Sequence, residues 1–198
     1  TIWPDAAARW AERGLETWAY DQRGFGRNPS NRAWPGAEAL VADLAAVAAE
    51  VRRARPGLPL FVVGHSMGGA AAVAAAGEGR LDAEGLVLMA PAAWGGDRLS
   101  PLLRFTAWTA AQLIPDMRFS RRAAPVRIRP TDNWDRLAEI SRDPLRFADP
   151  SPREFLGLIR LMDRAVEAAP AVRAPALVLL GANEEVVPEE SVEALARD

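Results

Sequence analysis

Short apolar runs alternate along the chain with longer segments in which apolar residues recur every three or four positions. The runs are too short for helices and therefore predict strands. They lie at residues 15–20, 58–63, 85–90 and 176–180. Strands that alternate with helices in this way predict an α/β fold with a mostly parallel sheet, right-handed crossovers and helices on its faces.

The segments between these runs show helical periodicity. A predicted helix covers Gly36 to Arg55 and is stopped by the proline and glycine that follow. Its apolar face is predicted to consist of Leu40, Leu44, Val47 and Val51. Another begins at the capping box of Ser151 and Glu154. Its buried face is predicted to consist of Phe155, Ile159, Met162 and Val166. Further helices are predicted at 5–13, at 70–76 and from about residue 189 to the end.

The sequence Gly64-His65-Ser66-Met67-Gly68 lies between a predicted strand and a run of alanines. A G-x-S-x-G motif at such a sharp strand-to-helix turn is typical of a nucleophilic serine. The turn would force Ser66 into a strained backbone conformation and leave no room for a Cβ at either glycine. The Met67 N–H would then face the place where an oxyanion forms. The competing interpretation is a glycine-rich connection with an incidental serine.

A serine near neutral pH needs a base, usually a histidine that a carboxylate orients. The only histidine is His65, directly before Ser66. Neighbouring side chains on such a turn diverge, so we expect its ring to pack beside the strand and not to reach the Ser66 hydroxyl. Glu184 and Glu185 follow the last predicted strand, where a triad acid would lie. A solvated loop before a helix N-terminus would favour the same acids.

Residues 92–150 interrupt the alternation of strands and helices. Ser100 and Pro101 form a helix start signal. The helix after them carries Leu102, Leu103, Phe105, Trp108, Leu113 and Ile114. An insertion of this length favours a functional role. It is either an extra helical layer or a cap whose apolar face lines an acyl pocket. We therefore expect one domain, with a core of residues 1–91 and 151–198 and a helical cap insertion at 92–150.

Composition excludes several classes of function. The net charge is −2, with 24 basic and 26 acidic residues spread along the chain, which argues against nucleic acid as a partner. The chain has no cysteine, so disulfides and thiolate chemistry are excluded.

Gly24-x-Gly26 lacks the third glycine and the helix of a nucleotide fingerprint. No signal peptide is visible and no apolar run approaches about 18 residues, which predicts a cytoplasmic protein without a membrane span.

Six segments together resemble an α/β-hydrolase, in the monoacylglycerol lipase and lysophospholipase branch that is sometimes classed with the serine aminopeptidases. They occur in the family's order and span almost the whole chain. These segments are Tyr20–Arg27, Gly64–Gly69, Leu86–Pro91, Thr131–Asn133, Asp143–Leu145 and Leu177–Pro188.

The resemblance implies a serine hydrolase of carboxylic esters that needs no metal or cofactor. Ser66 would be the nucleophile, the Met67 N–H one oxyanion donor, and Glu184 the triad acid where the branch usually has aspartate, with Glu185 as the alternative acid. The substrate would be a lipid acyl ester such as a monoacylglycerol or lysophospholipid. A small ester, a thioester or a peptide is the alternative substrate. A non-catalytic binding protein of the same fold is the alternative function, whereas an epoxide hydrolase or dehalogenase would need an aspartate in place of Ser66.

Two parts of the family pattern have no counterpart in these residues. The loop that gives the second oxyanion donor would precede Thr1, and the catalytic histidine would follow Asp198. The family's third strand, which lies between the strands predicted at 15–20 and 58–63, would also precede Thr1. The resemblance therefore leads us to expect that residues 1–198 are the middle of a longer protein.

Overall fold

A computed structural model describes residues 3–28, 34–94, 99–119, 131–143, 145, 149–185 and 187–197. The strands are β1 (Phe61–His65), β2 (Gly85–Met89) and β3 (Ala176–Leu179). The helices are α1 (Pro4–Ala11), α2 (Ala37–Ala54), α3 (Met67–Gly77), α4 (Pro101–Leu113), α5 (Trp134–Arg142), α6 (Pro152–Ala168) and α7 (Glu189–Arg197), with a 3₁₀ turn at Ala169–Ala171.

The strands form one parallel sheet in the order β1-β2-β3, as the alternating pattern predicts. His65 at the end of β1 pairs with Met89, and Met89 pairs with Leu179 at the end of β3. All three strands therefore end at the same edge of the sheet. The loops that follow them converge there, which is where open α/β sheets bind their ligands.

Helix α3 forms the centre of the core. Its residues Ala70 to Ala75 are buried, and it packs against β1, α2 and α6. Small side chains allow this close approach: at Gly77, an added Cβ would collide with the carbonyl group of Ala168 in α6. The alanine run is thus the packing surface that its composition predicts.

The burial of the strands differs from the sequence-based expectation. The middle strand β2 is largely buried, with Leu86 and Leu88 each 2% exposed. By contrast, Phe61 of β1 and Leu177 of β3 are each 56% exposed. The apolar runs led us to expect burial on both faces, but β1 and β3 are the outer strands of this sheet. Among the described residues, each outer strand has a neighbouring strand on one side only, and Phe61 and Leu177 remain accessible there.

The strand predicted at residues 15–20 is not present. A strand exists through hydrogen bonds to a neighbour, and within the described ranges the sheet ends at β1 on one side and β3 on the other. The apolar run at 15–20 therefore has no strand to pair with, and Leu15 and Trp18 are about half exposed.

The helix start signals are confirmed. The Ser100 hydroxyl accepts a hydrogen bond from the Leu103 N–H at the start of α4. Ser151 and Glu154 form the predicted capping box at the start of α6. Helix α5 was not predicted. The Asn133 side chain caps it by accepting from the Arg136 N–H at 3.0 Å, and this asparagine is the signal that could have revealed it.

The buried face of α6 is rotated from the predicted one. Ile159 and Met162 are buried as expected, whereas Phe155 and Val166 are 41% and 39% exposed. Leu161 and Ala165 are buried in their place, because α6 packs on α3 with one side and on α4 with another. In α2, Leu40 is buried as expected, but the residues buried with it are Val41 and Ala48. No helix among the described residues is long and apolar enough to cross a membrane.

Candidate active site

Ser66 occupies a sharp turn between a strand and a helix. Strand β1 ends at His65 and helix α3 begins at Met67, so Ser66 alone makes the connection. Its backbone angles are φ 52° and ψ −117°. A positive φ is strained for any residue with a Cβ, and it persists only where the surrounding structure imposes it.

The glycines near Ser66 differ in how much space a Cβ would have at each position. A Cβ on Gly64 would lie 2.7 Å from both the carbonyl oxygen of Gly68 and the Cα of Gly69, so Gly64 confirms the expected lack of room. At Gly68 the expectation is wrong, because nothing lies within 4 Å of the place where a Cβ would be. The second crowded position is Gly69, where a Cβ would lie 2.8 Å from the Cβ of Pro91.

The end of β2 and the backbone that follows it hold Ser66 from the other side. The Ser66 N–H donates to the Met89 carbonyl at 3.0 Å, and the Ala92 N–H donates to the Ser66 carbonyl at 2.9 Å. Between these two contacts lies Ala90, with a φ of 41°. The Ala90 N–H donates to the Leu179 carbonyl of β3 at 2.8 Å. Sequence reasoning missed this segment, because its role lies in backbone groups and only Pro91 marks it.

Glu184 and Glu185 follow β3 and therefore lie at the same edge of the sheet as Ser66. The Oε1 atom of Glu184 accepts from the Val187 N–H at 3.2 Å, and Glu184 is half-buried. Glu185 is exposed. Of the two acids, Glu184 is thus the less exposed one, and its carboxylate accepts a backbone hydrogen bond within the loop.

His65 is the last residue of β1, and its side chain is exposed. This differs from the expectation that its ring packs beside the strand. Loss of surrounding water still lowers the pKa of His65 below its ordinary value. The negative charge of Glu184 acts in the opposite direction on the same pKa. Glu184 is therefore close enough to the end of β1 to influence a side chain there.

The loop at residues 21–28 folds around the Asp21 carboxylate. An oxygen of this carboxylate accepts from the Arg27 N–H at 2.9 Å, and a Cβ on Gly26 would collide with the same group. Arg23 ties the loop to α2 by a bidentate pair with Asp43 at 2.6 and 3.0 Å. The negative charge of the Asp21 carboxylate beside Gly24-x-Gly26 would repel a phosphate group, which agrees with the argument from the sequence against a nucleotide site.

A groove of about 500 Å³ lies between the start of α2, the end of α4 and the start of α6. It is lined by Trp34, Gly36, Ala37, Ala111, Gln112, Pro115, Arg153, Leu156, Gly157 and Arg160. Ser66 is not among these residues. The large apolar side chains of α4 lie outside the groove as well, with Leu102, Phe105 and Trp108 at least half exposed. In the part of the chain that the structure describes, no group of three or more carboxylate or imidazole side chains is placed to hold a metal ion.

Comparison with known proteins places this geometry in a family. The family model described as "Serine aminopeptidase, S33" matches residues 3–198. The chain is 29% identical over 197 residues to a monoacylglycerol lipase from Mycolicibacterium smegmatis, covering 92% of this chain and 65% of that protein. A second curated relative, from Schizosaccharomyces pombe, is 28% identical over 189 residues, with 91% of this chain and 49% of the relative covered. The chain thus spans less than two thirds of the length of these relatives.

Solved structures show the same fold. The crystal structure of a monoacylglycerol lipase from Paleococcus ferrophilus superposes with a TM-score of 0.78 at 22% identity, covering 98% of this chain and 72% of that one. A monoglyceride lipase from Saccharomyces cerevisiae, in complex with a substrate analog, gives a TM-score of 0.64 at 19% identity, with 89% and 62% covered. The chain belongs to the serine aminopeptidase S33 family and has the α/β-hydrolase fold, in its monoacylglycerol lipase-like branch.

Proposed function

We propose that this S33-family chain carries the nucleophile and the triad acid of a serine hydrolase that cleaves carboxylic esters of lipid acyl chains. Ser66 is the nucleophile, Glu184 is the triad acid, and the Met67 N–H is one donor of the oxyanion hole. The observation that carries the proposal is the strained backbone of Ser66, at φ 52° between β1 and α3. A fold that served only to bind a ligand would gain nothing from this strain.

The proposed reaction passes through an acyl-enzyme. The Ser66 Oγ attacks the ester carbonyl carbon while a base takes its proton, and the carbonyl electrons move onto the oxygen. The Met67 N–H, at the start of α3, stabilises that oxyanion. When the intermediate collapses, the C–O bond to the alcohol breaks and the base returns its proton to the leaving oxygen. Water, deprotonated by the same base, then attacks the acyl carbon, the bond from this carbon to the Ser66 Oγ breaks, and the base returns the proton to Oγ as the acid leaves.

The base of this reaction must be a residue other than His65. His65 directly precedes Ser66 at a sharp turn, and neighbouring side chains on such a turn diverge. His65 is also the only histidine of the 198 residues. The proposal therefore requires a base other than the one histidine of this sequence. Glu184 would orient it, because the Glu184 carboxylate is fixed on the Val187 N–H at the edge of the sheet where Ser66 lies.

The substrate class rests on the relatives and on the insertion. We propose that residues 92–150 form a cap and that residues 1–91 and 151–198 form the hydrolase core. Relatives that carry the name monoacylglycerol lipase favour a lipid ester. The described helices of the insertion carry several large exposed apolar side chains, including Leu113 at 76% and Trp134 at 70%, which would suit an acyl chain.

A substrate series tests the proposed specificity. The protein expressed from its own gene is assayed with p-nitrophenyl esters of increasing acyl length, with a thioester, and with an aminoacyl anilide that reports the peptidase activity in the family's name. Ser66→Ala is the matched control for each substrate. We expect kcat/KM to rise with acyl length and to disappear in Ser66→Ala. Cleavage of the anilide alone would replace the lipid ester by a peptide, and no Ser66-dependent turnover would favour a non-catalytic binding protein.

A further inference from the structure

The peptide between Ser66 and Met67 carries two groups with opposite roles. Every peptide bond among the described residues is trans, so the Ser66 carbonyl and the Met67 N–H point in opposite directions. Any contact that fixes the carbonyl therefore also fixes the direction of the proposed oxyanion donor. The Ser66 carbonyl accepts three N–H groups, from Gly69 at 2.9 Å, Ala70 at 3.1 Å and Ala92 at 2.9 Å.

The contact from Ala92 differs from the other two. Gly69 and Ala70 belong to the first turn of α3, so their hydrogen bonds follow from the formation of that helix. Ala92 lies beyond the end of β2, and its N–H reaches Ser66 from the loop that follows this strand. It is the one of the three donors that does not depend on the helix. It can therefore set the tilt of the 66–67 peptide relative to the sheet.

A regular parallel ladder would not provide this contact. The Ser66 N–H donates to Met89, so the next ladder bond to the Ser66 carbonyl would come from residue 91, two positions further along the strand. Residue 91 is a proline and has no N–H. The chain instead inserts one extra residue: Ala90 turns to a φ of 41°, and the N–H of Ala92 takes the place of the missing donor. This arrangement has the form of a β-bulge, which commonly lies beside an active site.

Neighbouring contacts hold the bulge in place. Pro91 is fully buried, and its Cβ lies 2.8 Å from where a Cβ on Gly69 would be, so its ring fits against the first turn of α3. The Ala90 N–H donates to the Leu179 carbonyl at the end of β3. The bulge at residues 90–92 thus connects the turn at Ser66 on one side to β3, the strand that precedes Glu184, on the other.

We propose that the Ala92 N–H is a positioning group for the oxyanion hole. It holds the Ser66 carbonyl and thereby aims the Met67 N–H at the oxyanion. This inference rests on the proposed function, because it gives the 66–67 peptide a catalytic role. The positioning matters only when negative charge has formed on the substrate oxygen, so its loss should lower kcat and leave KM nearly unchanged.

A single-atom change tests this proposal. Replacing Ala92 by the matching α-hydroxy acid converts its N–H into an ester oxygen and removes one hydrogen bond while keeping the side chain. The same change at Ala93 is the matched control, because the Ala93 N–H is not one of the three donors to the Ser66 carbonyl. The readouts are kcat and KM on a p-nitrophenyl ester, the rate of Ser66 labelling by a fluorophosphonate, and the thermal midpoint.

Loss of an oxyanion donor costs about 10²–10³ in kcat, and a misaimed donor should cost less. We therefore expect the ester at residue 92 to lower kcat and the labelling rate about tenfold, with KM within about twofold and the control unchanged. Equal rates for the two esters, with the unmodified protein labelled, would overturn the positioning role and leave the proposed function standing. Failure of the unmodified protein to label would overturn both.

Two substitutions of Ala90 provide a second test if the ester at residue 92 prevents folding. Ala90→Gly accepts a φ of 41° without strain, whereas the β-branched side chain of Ala90→Val opposes it. Ala90→Val should therefore lower the labelling rate of the folded protein more than Ala90→Gly does. Unchanged kcat in folded Ala90→Val would contradict the role of the bulge.

Discussion

Gly64 at the end of β1 and Gly68 in the first turn of α3 lie so close that a Cβ on Gly64 would be 2.7 Å from the Gly68 carbonyl oxygen. Backbone that is fixed by a strand on one side and a helix on the other cannot move away cheaply. We therefore expect Gly64→Ala to lower the free energy of unfolding by about 1–3 kcal/mol, the usual cost of overpacking. Chemical denaturation measures this change.

Gly68→Ala is the matched control for that substitution. The same motif supplies both glycines, but Gly68 has nothing within 4 Å of an added Cβ. Alanine is a better helix former than glycine, so Gly68→Ala should keep the free energy of unfolding or raise it by up to about 1 kcal/mol. Equal destabilisation by both substitutions would contradict the packing described for the turn.

Glu184 and His65 are coupled through their charges. The carboxylate of Glu184 favours the protonated imidazole and so raises the pKa of His65 against the effect of lost water, which lowers it. In Glu184→Gln only the effect of lost water remains. We expect the pKa of His65 to fall further below its ordinary value, as followed by NMR titration of the ring proton.

Glu185→Gln serves as the control for this titration and discriminates between the two acids. Glu185 is exposed and follows Glu184 directly, and Glu184 is the carboxylate whose charge acts on the pKa of His65. We expect the pKa of His65 to be unchanged in Glu185→Gln. A larger response to Glu185→Gln than to Glu184→Gln would make Glu185 the better candidate for the triad acid.

Arg164 of α6 joins two other elements of the fold. Its guanidinium contacts Glu78 after α3 at 2.8 Å and Glu38 of α2 at 2.8 Å. We expect Arg164→Met to lower the thermal midpoint by about 2–4 °C, because it removes charged contacts between elements that pack together. In the control Arg53→Met, the lost pair with Glu50 lies within one helix and is largely exposed, so the midpoint should change by less than about 1 °C.

The effect of Arg164→Met should depend on pH. The hydrogen bond from Arg164 holds the pKa of Glu78 below its ordinary value of 4.5. A carboxyl group whose pKa is lower in the folded state stabilises the protein fully above its ordinary pKa, and this stabilisation disappears as the pH falls through the folded value. The gap in thermal midpoint between the native protein and Arg164→Met should therefore narrow as the pH is lowered from about 6 to about 3. A gap that widened would contradict the pairing.

Local signals made much of the architecture predictable. The capping box of Ser151 and Glu154 and the N-cap at Ser100 depend on residues within one turn, and both are confirmed. The alanine run after Ser66 predicts a helix packed closely on a sheet, and that helix is α3. Patterns that depend on distant partners were less informative. The apolar run at 15–20 predicts a strand, but no neighbouring strand lies beside it among the described residues, and it does not form one.

The candidate site divides in the same way. Ser66 and Glu184 could be proposed from the sequence, because a motif and the order of strands along the chain single out these two side chains. Gly69 and Ala92 could not, because they act through space and backbone: Gly69 makes room for Pro91, and Ala92 donates its N–H to Ser66. The sequence also could not show that there is space for a Cβ at Gly68. The G-x-S-x-G motif predicts a lack of room at both of its glycines and does not distinguish them.

The most direct test of the account is the intact mass of the protein, expressed from its own gene, before and after reaction with a fluorophosphonate probe. An activated Ser66 displaces fluoride from phosphorus and becomes covalently labelled. We predict a single adduct that peptide mapping assigns to Ser66 and that is absent in Ser66→Ala. An unlabelled protein, or an adduct on another residue, would contradict the assignment of Ser66 as a catalytic nucleophile.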